Sequence, residues 1–358
     1  MPGADDGRRT RIDRGSLIIH VSSVWSGGVR SAIEEYISST PHCTHNVLTI
    51  GNEPDDEIVT YAQNQTDFAG KLRNIYKQDV GAPDVVHLHS SIAGGLGRLM
   101  RPISSQQRRS IRVVYSPHGY SFLREDVSRL TAAAFRLMET VLARRIDGVG
   151  VVGQDERARA LSLGARNVIV IPHAARYRLG QIAGNELPQQ SISRLTVVGV
   201  GRLKPQKDPV QFAKIAAGLP EVDFAWVGSG DETMAAELRN AGVRVTGWLP
   251  PDLVKAELRQ SSVALVTSRW EGFPYSIVEA LQEGTPVVYR SIPSLDSEFG
   301  VVGYRHVREA ISLISQLSEQ GRRASLLRRQ LDALTVRGRQ TDALNSLYGL
   351  NDVQTLEP

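Results

Sequence analysis

The sequence has very little cysteine and no long apolar run. Cys43 is the single cysteine among 358 residues, so no disulfide can form within the chain, and a lone thiol is typical of a protein in a reducing compartment. No apolar segment approaches the roughly 20 residues that cross a bilayer. The charged opening MPGADDGRRTRIDRG also lacks the apolar centre of a secretion signal. We therefore expect a cytoplasmic protein.

The composition shows no bias that would indicate disorder. Hydrophobic residues make up 41% and charged residues 22% of the chain, and both values are ordinary for globular proteins. A chain of 358 residues is longer than one ordinary domain, so we expect about two domains, each with its own core.

The net charge of +4 is modest and the excess of cations lies in the first half of the chain. No acidic residue falls between Asp84 and Glu125, and this interval contains Arg98, Arg101, Arg108, Arg109 and Arg112. One interpretation is a solvated helix and loop face. The other is a patch that meets anionic lipid headgroups or a phosphorylated acceptor. We expect no nucleic-acid partner, because no binding motif or aromatic platform accompanies the arginines.

Short β-rich segments alternate with helical segments along the chain, which is typical of parallel α/β sheets. The first series of predicted strands comprises residues 16–23, 46–50, 84–89, 112–118, 147–153 and 167–172. The second comprises residues 194–201, 223–230, 243–248, 262–268 and 286–290. Two Rossmann-like domains follow, with a ligand site expected at the carboxyl ends of the strands.

A polar stretch divides these two series. We predict an N-terminal domain over residues 1–175, a linker over 176–193 and a C-terminal domain over 194–330. The last segment, 331–358, is predicted to be helical and to pack back on the first domain.

Two carboxylates lie eight positions apart in the segment SRWEGFPYSIVEALQEGTPVV. Glu271 is on a turn that Gly272 and Pro274 keep irregular, and Glu279 is near the first turn of a helix predicted to begin around Ser276. Free N–H groups at a helix start attract phosphate, while a carboxylate accepts hydrogen bonds from sugar hydroxyls. The combination indicates a nucleotide-sugar ligand.

Other polar and glycine residues follow predicted strands. Gly28 opens a helix after the first strand, Gly228 lies in the turn VGSGDE, and Arg202 and Lys207 lie in VGVGRLKPQKDP. The two cations can clamp a pyrophosphate, and the glycines allow close backbone approach. Each of these features is also compatible with an ordinary turn or surface charge.

Histidines mark two strands of the first domain. His118 closes one strand and can contact a sugar hydroxyl or be purely structural. His87 and His89 point to the same side of another strand, but no third metal ligand with suitable spacing is evident. We expect no metal and no cofactor.

With these residues in place, the chain resembles the retaining glycosyltransferases of the GT-B fold, family 4, also called glycosyltransferase group 1. The similarity is strongest in GRLKPQK, VGSGDE, VTGWLP and the Glu271 to Glu279 motif, and it covers roughly residues 16–300. The chain departs from the family pattern at His173-Ala174, where relatives usually have Asn-Gly. It also has Ser294-Leu295 ahead of Glu298, where relatives often have two glycines.

The resemblance implies roles for individual residues. Arg202 and Lys207 would hold the diphosphate, and Glu279 the ribose. Glu271 would bind the donor sugar together with the backbone amides of Gly272, Phe273 and Pro274. His118 would contact the sugar, and Gly28 would approach the phosphate or the acceptor.

The implied reaction moves a hexose-type sugar from a nucleotide-diphosphate sugar to a glycan or lipid-linked acceptor, with retention and without metal. The implied setting is bacterial surface polysaccharide or glycolipid biosynthesis. The resemblance and the arginines together suggest peripheral contact with an anionic membrane through Arg98–Arg112. The alternatives are an epimerase or another nucleotide-sugar enzyme, and a non-catalytic subunit that binds sugar nucleotides.

Overall fold

The structure is a computed structural model that describes residues 15–51, 57–78, 81–101, 111–173, 194–299, 303–335 and 339–350. The described residues form two units, each built on a parallel β-sheet, and a C-terminal helix that returns to the first unit. The α/β fold with two Rossmann-like domains predicted from the sequence is confirmed.

The first domain contains a seven-stranded sheet in the order β3-β2-β1-β4-β5-β6-β7, with neighbouring strands parallel. Its strands are β1 (Leu17–Ser22), β2 (Thr44–Ile50), β3 (Val59–Ala62), β4 (Val85–His89), β5 (Arg112–Ser116), β6 (Gly148–Val151) and β7 (Val168–Val170). Adjacent residues such as Ile18 and Ile19 belong to different buried clusters, because successive side chains point to opposite faces of a sheet that is covered on both sides.

Within the described residues, five α-helices connect these strands. They are α1 (Gly27–Ser39), α2 (Gln65–Lys77), α3 (Ser90–Met100), α4 (Arg129–Leu142) and α5 (Gln154–Ser162). Two of them begin at side-chain caps, because Asn64 accepts a hydrogen bond from the backbone N–H of Asp67 and Ser128 accepts one from that of Thr131.

The second domain contains a five-stranded parallel sheet in the order β10-β9-β8-β11-β12. Its strands are β8 (Thr196–Val200), β9 (Asp223–Val227), β10 (Arg244–Gly247), β11 (Val263–Val266) and β12 (Val287–Tyr289). Its helices are α6 (Pro209–Ala217), α7 (Glu232–Asn240), α8 (Pro251–Gln260), α9 (Tyr275–Gln282), α10 (Pro293–Phe299), α11 (Val307–Gln316) and α12 (Gln320–Thr335).

The chain leaves the second domain after α12 rather than at residue 330. Leu327, Leu331 and Leu334 of this helix are buried in the same cluster as Ile277 of α9. The helix therefore packs in the core of the second domain. The predicted linker, 176–193, lies outside the described residues.

The last helix, α13 (Gln340–Tyr348), packs on the first domain. The Gln340 side chain donates a hydrogen bond of 2.8 Å to the carbonyl of Pro172. Leu347 is fully buried against β6, where a Cβ atom on Gly148 would lie 3.0 Å from it. The glycines of β6 therefore make room for the returning helix.

Each strand predicted from the sequence is present, with ends within a few residues. β3 was not predicted, because VTYA is short and half exposed at the edge of the sheet. Edge strands lack the continuous apolar run on which a prediction of a buried parallel strand depends.

Candidate functional site

The carboxyl ends of the two sheets meet at a close contact between two glycine loops. Gly119 follows β5 and Gly272 follows β11. A Cβ atom on Gly272 would lie 2.7 Å from the backbone nitrogen of Gly119 and 2.9 Å from the carbonyl carbon of His118. Real Cβ atoms do not approach backbone this closely, so only glycine fits at position 272 in this arrangement.

An ion pair occupies the second-domain side of the cleft. Lys207 Nζ lies 2.7 Å from Glu271 Oε1, and the two side chains are 18% and 10% exposed. Gln206 donates hydrogen bonds to Glu271 Oε2 at 3.1 Å and to the Trp270 carbonyl at 3.0 Å. The sequence-predicted residues Lys207 and Glu271 are therefore brought together, and the loop after β8 is tied to the loop after β11.

Two further cations lie in the loop after β8. Arg202 is exposed and has no hydrogen bond or ion pair with another described residue. Lys204 is half-buried, and burial together with the charges of Arg202 and Lys207 lowers its pKa. Sequence analysis did not identify Lys204 and Gln206 as site residues, although both lie in the segment VGVGRLKPQKDP. This loop thus offers three cationic side chains to an anion.

Glu279 lies on α9, which begins at Tyr275, one residue before the predicted start. It occupies the second turn rather than the first, so it is farther from the free N–H groups than expected. Burial raises the pKa of its carboxyl, and the nearby charges of Lys255 and Lys207 oppose that shift.

The loop before α9 differs in detail from the sequence interpretation. Phe273 is buried in the second-domain core, so its side chain is not available to a ligand. Pro274 has no backbone N–H and cannot act as the expected amide donor. Its carbonyl instead accepts the N–H of Ile277 at the start of the helix.

The two predicted glycines allow close packing of backbone. Gly28 is the second residue of α1, and a Cβ atom there would be 3.5 Å from the ring of Tyr275 in the facing domain. A Cβ atom on Gly228, whose φ is +141°, would collide with the carbonyl oxygen of Gly201. Gly28 therefore lies in the cleft. Gly228 instead allows the turn after β9 to pack closely on the turn after β8 within the second domain.

His118 lies in the loop after β5 in a left-handed conformation, with φ at +51°. Its Nε2 lies 2.9 Å from Nδ1 of His89. Burial, with a contribution from His173, lowers the pKa of His118 to about 3, so the imidazole is neutral at physiological pH.

The buried carboxyl group of Glu156 stabilises the loop that contains Gly119. Glu156 Oε1 accepts the N–H of Gly119 at 2.7 Å, and Oε2 accepts the N–H of Val152 at 2.9 Å. Burial raises the pKa of Glu156 to about 7, although both hydrogen bonds act to lower it. Sequence reasoning missed this residue, whose only signal is its position just after a strand.

Three buried histidines lie close enough together to suggest a metal site. Ring nitrogens of His20, His87 and His89 are within 4.8 Å of one another, and His20 was the partner that sequence spacing did not reveal. Their nitrogens are engaged elsewhere, however. His87 is within 3.0 Å of both Tyr348 Oη and Ser116 Oγ, while His20 and His89 bond to each other and to further histidines.

The predicted membrane patch over Arg98–Arg112 is wrong for the three of its arginines that the structure describes. Arg98 is buried and paired at 2.8 Å with Glu139, and Arg101 is paired at 2.6 Å with Asp147. Arg112 donates to the carbonyl of Leu347. Arg108 and Arg109 lie outside the described residues. The described arginines of this stretch therefore hold the first domain together. No helix in the described ranges has both the length and the apolar character to span a bilayer.

His173, at one departure from the family pattern, and Glu298, just after the other, make contacts between the domains. The ring of His173 lies 4.8 Å from that of Phe273 and 4.5 Å from that of Tyr275. Glu298 accepts the N–H of Gln154 at 2.7 Å, at the start of α5. A carboxylate at a helix N-terminus is favourable, so both positions stabilise the domain interface.

Both domains match models of known protein families. The model described as "Glycosyl transferases group 1" matches residues 194–319, and that described as "Glycosyl transferase 4-like domain" matches residues 59–174. A Klebsiella pneumoniae protein described as "Uncharacterized 41.2 kDa protein in cps region" is 25% identical over 78% of this chain and 82% of its own length.

A second relative has a stated activity. The Escherichia coli UDP-Gal:alpha-D-GlcNAc-diphosphoundecaprenol alpha-1,3-galactosyltransferase is 26% identical over 58% of this chain and 58% of its own length. Among solved structures, Anabaena Alr3699/HepE in complex with UDP-glucose superimposes with a TM-score of 0.68 and 18% identity, over 93% of this chain and 98% of that chain. The matches to both domains and the shared two-sheet architecture confirm the resemblance noted in the sequence: the chain belongs to the group 1 glycosyltransferases and has the GT-B fold.

Proposed function

We propose that this protein transfers a hexose-type sugar, with retention, from a nucleotide-diphosphate sugar to a glycan or lipid-linked acceptor. The setting we propose is bacterial surface polysaccharide or glycolipid biosynthesis, as the names of the Klebsiella and Escherichia coli relatives suggest. The observation that supports the proposal most directly is the Lys207–Glu271 pair, which faces the Gly119 loop across the cleft.

In this proposal the loop after β8 holds the diphosphate. Arg202 and Lys207 bind its oxygens, and Lys204 adds a third positive charge. Lys207 is paired with Glu271, and its ammonium would be shared with the phosphate of the bound donor. Charge-assisted hydrogen bonds of this kind are stronger than neutral ones. They would also stabilise the leaving group as it gains negative charge.

The sugar and the ribose would lie on either side of that diphosphate. Glu271 and the backbone of Gly272 would bind the donor sugar, and His118 would contact it from the first domain. Glu279 would accept hydrogen bonds from the ribose hydroxyls, and these bonds are stronger when the carboxyl is ionised. The neighbouring Lys207 and Lys255 favour the ionised form.

The transfer step proposed here is a front-face displacement. The bond between the anomeric carbon and the phosphate oxygen breaks while a bond from the acceptor oxygen forms on the same face. The acceptor's proton passes to the departing phosphate oxygen, so the charges balance without a protein nucleophile. We propose that the three cations make a metal ion unnecessary.

A thermal-shift screen tests the donor site. The purified protein is heated with UDP, GDP, ADP and their common sugar conjugates, without metal. A ligand at 100 times its dissociation constant should add about 2.7 kcal/mol to the free energy of unfolding. We expect one nucleotide family to stabilise the protein, and Arg202→Ala and Lys207→Ala to remove that effect.

Lys214→Ala is the matched control, because Lys214 is exposed on α6 and lies outside the cleft. Stabilisation that survives both cleft substitutions would contradict the assigned site. Binding without transfer to any acceptor would favour the non-catalytic subunit, and sugar products formed without an acceptor would favour the epimerase.

We further propose that α4, rather than the arginine stretch, contacts an anionic membrane surface. Leu130, Leu137 and Val141 lie on one face of α4 and are 84%, 64% and 63% exposed. Exposed Arg129 and Arg136 flank them. The single carboxylate of this helix, Glu139, is buried against Arg98, so the exposed face is apolar and cationic, as interfacial helices are.

Co-sedimentation with phosphatidylglycerol vesicles tests this surface. Burial of one leucine is worth about 1.5–3 kcal/mol, so the double change Leu130→Gln and Leu137→Gln should weaken binding at least tenfold. Leu161→Gln, on exposed α5 surface, serves as the control. Unchanged sedimentation, or an apolar face that instead drives self-association, would contradict the membrane proposal.

A further inference from the structure

Three buried histidines and the half-buried His118 form an unbroken hydrogen-bonded chain that ends at the cleft. His45 Nδ1 lies 3.1 Å from His20 Nε2, and His20 Nδ1 lies 3.0 Å from His89 Nε2. His89 Nδ1 lies 2.9 Å from His118 Nε2. Each contact joins two ring nitrogens, so in every pair one nitrogen donates a proton and the other accepts it.

The end far from the cleft fixes the direction of the chain. His45 Nε2 is 3.1 Å from both the carbonyl oxygen and the hydroxyl oxygen of Thr40. The Thr40 hydroxyl already donates its proton to the carbonyl of Tyr36 at 2.7 Å. Both oxygens therefore act as acceptors toward His45, and His45 must carry its proton on Nε2.

This assignment propagates along the chain because all four rings are neutral. Burial lowers the pKa of His45, His20, His89 and His118. With its proton on Nε2, His45 presents a bare Nδ1, which accepts from His20 Nε2. The same pattern repeats at His20 and His89, so His118 donates from Nε2 to His89.

We propose that this chain locks His118 in the Nε2–H tautomer and leaves its Nδ1 as a bare acceptor for a sugar hydroxyl. No described residue hydrogen-bonds to His118 Nδ1. The residue is half-buried beside Gly119, where the two domains meet. A hydroxyl can donate to such a nitrogen, whereas a carboxylate or phosphate oxygen cannot. His45, His20 and His89 are thus positioning residues.

The chain is suited to holding a tautomer and not to moving protons out of the cleft. Its far end is a backbone carbonyl, which cannot take up a proton and release it to solvent. His87 belongs to the same buried group but is bonded to Tyr348 and Ser116, so it is outside the chain.

The contact with a sugar hydroxyl rests on the proposed transferase function, whereas the tautomer does not. The test is a long-range ¹H–¹⁵N correlation spectrum of protein labelled with ¹⁵N-histidine, in which protonated and bare ring nitrogens have distinct shifts. His118 is assigned by its loss in His118→Gln. We expect His45, His20, His89 and His118 all as Nε2–H tautomers. His118 protonated on Nδ1, or averaged between tautomers, would overturn the proposal.

Paired variants separate this role from general packing. His20→Leu interrupts the chain and should convert the His118 pattern to an average of both tautomers. His87→Leu removes an equally buried histidine outside the chain and should leave that pattern unchanged. An unchanged His118 pattern in His20→Leu, or equal changes in both variants, would refute the lock. If neither variant folds, the spectrum of the unaltered protein still decides.

A thermal-shift measurement with UDP tests the proposed donor site separately from the tautomer of His118. Stabilisation by UDP that persists in His20→Leu, with an averaged His118 signal, supports both the donor site and the lock. A single His118 tautomer in a protein that UDP, GDP and ADP all fail to stabilise would uphold the lock and count against the proposed transferase.

Discussion

Lys207 and Glu271 illustrate how one charge pair can serve both the free protein and the proposed reaction. The pair is largely shielded from solvent and lies between the loops after β8 and β11. Gln206 adds hydrogen bonds to both Glu271 and the preceding carbonyl, so the carboxylate has little freedom to reorient. A rigid acceptor at this position is what selective binding of sugar hydroxyls requires.

Replacing Glu271 with Gln should therefore reduce transfer strongly while preserving the fold. The amide keeps the shape but loses the charge that pairs with Lys207. We expect kcat/KM to fall by about 100-fold or more, with nucleotide binding retained because Lys207 remains. Glu283→Gln, which breaks the Arg259 pair at the end of α9, is the control. Near-normal turnover of Glu271→Gln would refute the site assignment.

Glu156 should give the stability of the protein a pH dependence. The pKa of its carboxyl is raised from 4.5 to about 7 in the folded state, so the folded protein retains a proton that the unfolded chain releases. The corresponding stability is fully present below about pH 4.5 and is lost as the pH rises through 7. One pKa unit corresponds to about 1.36 kcal/mol, so the free energy of unfolding should fall by about 3 kcal/mol over this pH range.

Urea unfolding at pH 5 and pH 8 measures this effect. The difference between the two pH values should be smaller in Glu156→Gln than in the unaltered protein, and unchanged in Glu237→Gln, an exposed position on α7. An identical pH difference in all three proteins would show that Glu156 does not titrate in this range.

At the scale of elements, the glycine loops after β5 and β11 set the distance between the domains. A Cβ atom on Gly272 would press on the backbone of His118 and Gly119, and backbone cannot rotate away as a side chain would. The backbone N–H of Gly119 is also fixed by its hydrogen bond to Glu156. The contact can therefore be relieved only by moving one domain relative to the other.

Gly272→Ala should consequently open the cleft and reduce transfer while leaving both cores intact. Small-angle scattering should give a larger radius of gyration, and far-UV circular dichroism should be unchanged. Gly321→Ala is the matched control, because a Cβ there has open space within α12 and alanine favours helix. Equal activity and equal dimensions in the two variants would contradict the role of this contact.

At the scale of the whole molecule, α13 ties the end of the chain to the first domain. Leu344 and Leu347 are fully buried there, and Arg112 and Gln340 add hydrogen bonds across the same interface. Residues far apart in sequence thus share one core, so the C-terminal helix is part of the first domain's stability.

Leu347→Ala should destabilise the first domain by about 2–5 kcal/mol, because it leaves a cavity against β6. Chemical denaturation should show the loss as a lower midpoint, and Leu161→Ala, which is half exposed on α5, should change the midpoint little. A loss below 1 kcal/mol in Leu347→Ala would indicate that α13 is not firmly docked.

Motif and periodicity predicted much of the fold and part of the site. Lys207, Glu271 and Glu279 were identified because they follow strands in a recognisable order, and the structure places Lys207 against Glu271. Arg98 and Arg101 were misjudged because a run of arginines looks the same in sequence whether it is solvated or paired with distant acids. Their partners, Glu139 and Asp147, come from elements that follow about 40 residues later.

The sequence by itself determined every strand except the edge strand β3, the two-domain α/β class and the family, because these depend on local apolar periodicity and on motifs that are contiguous in the chain. Only the tertiary structure decided which polar residues are partners. The chain from His45 through His20 and His89 to His118 joins residues from β2, β1, β4 and the loop after β5. Such contacts follow from strand order and register in the sheet, and no local pattern encodes them.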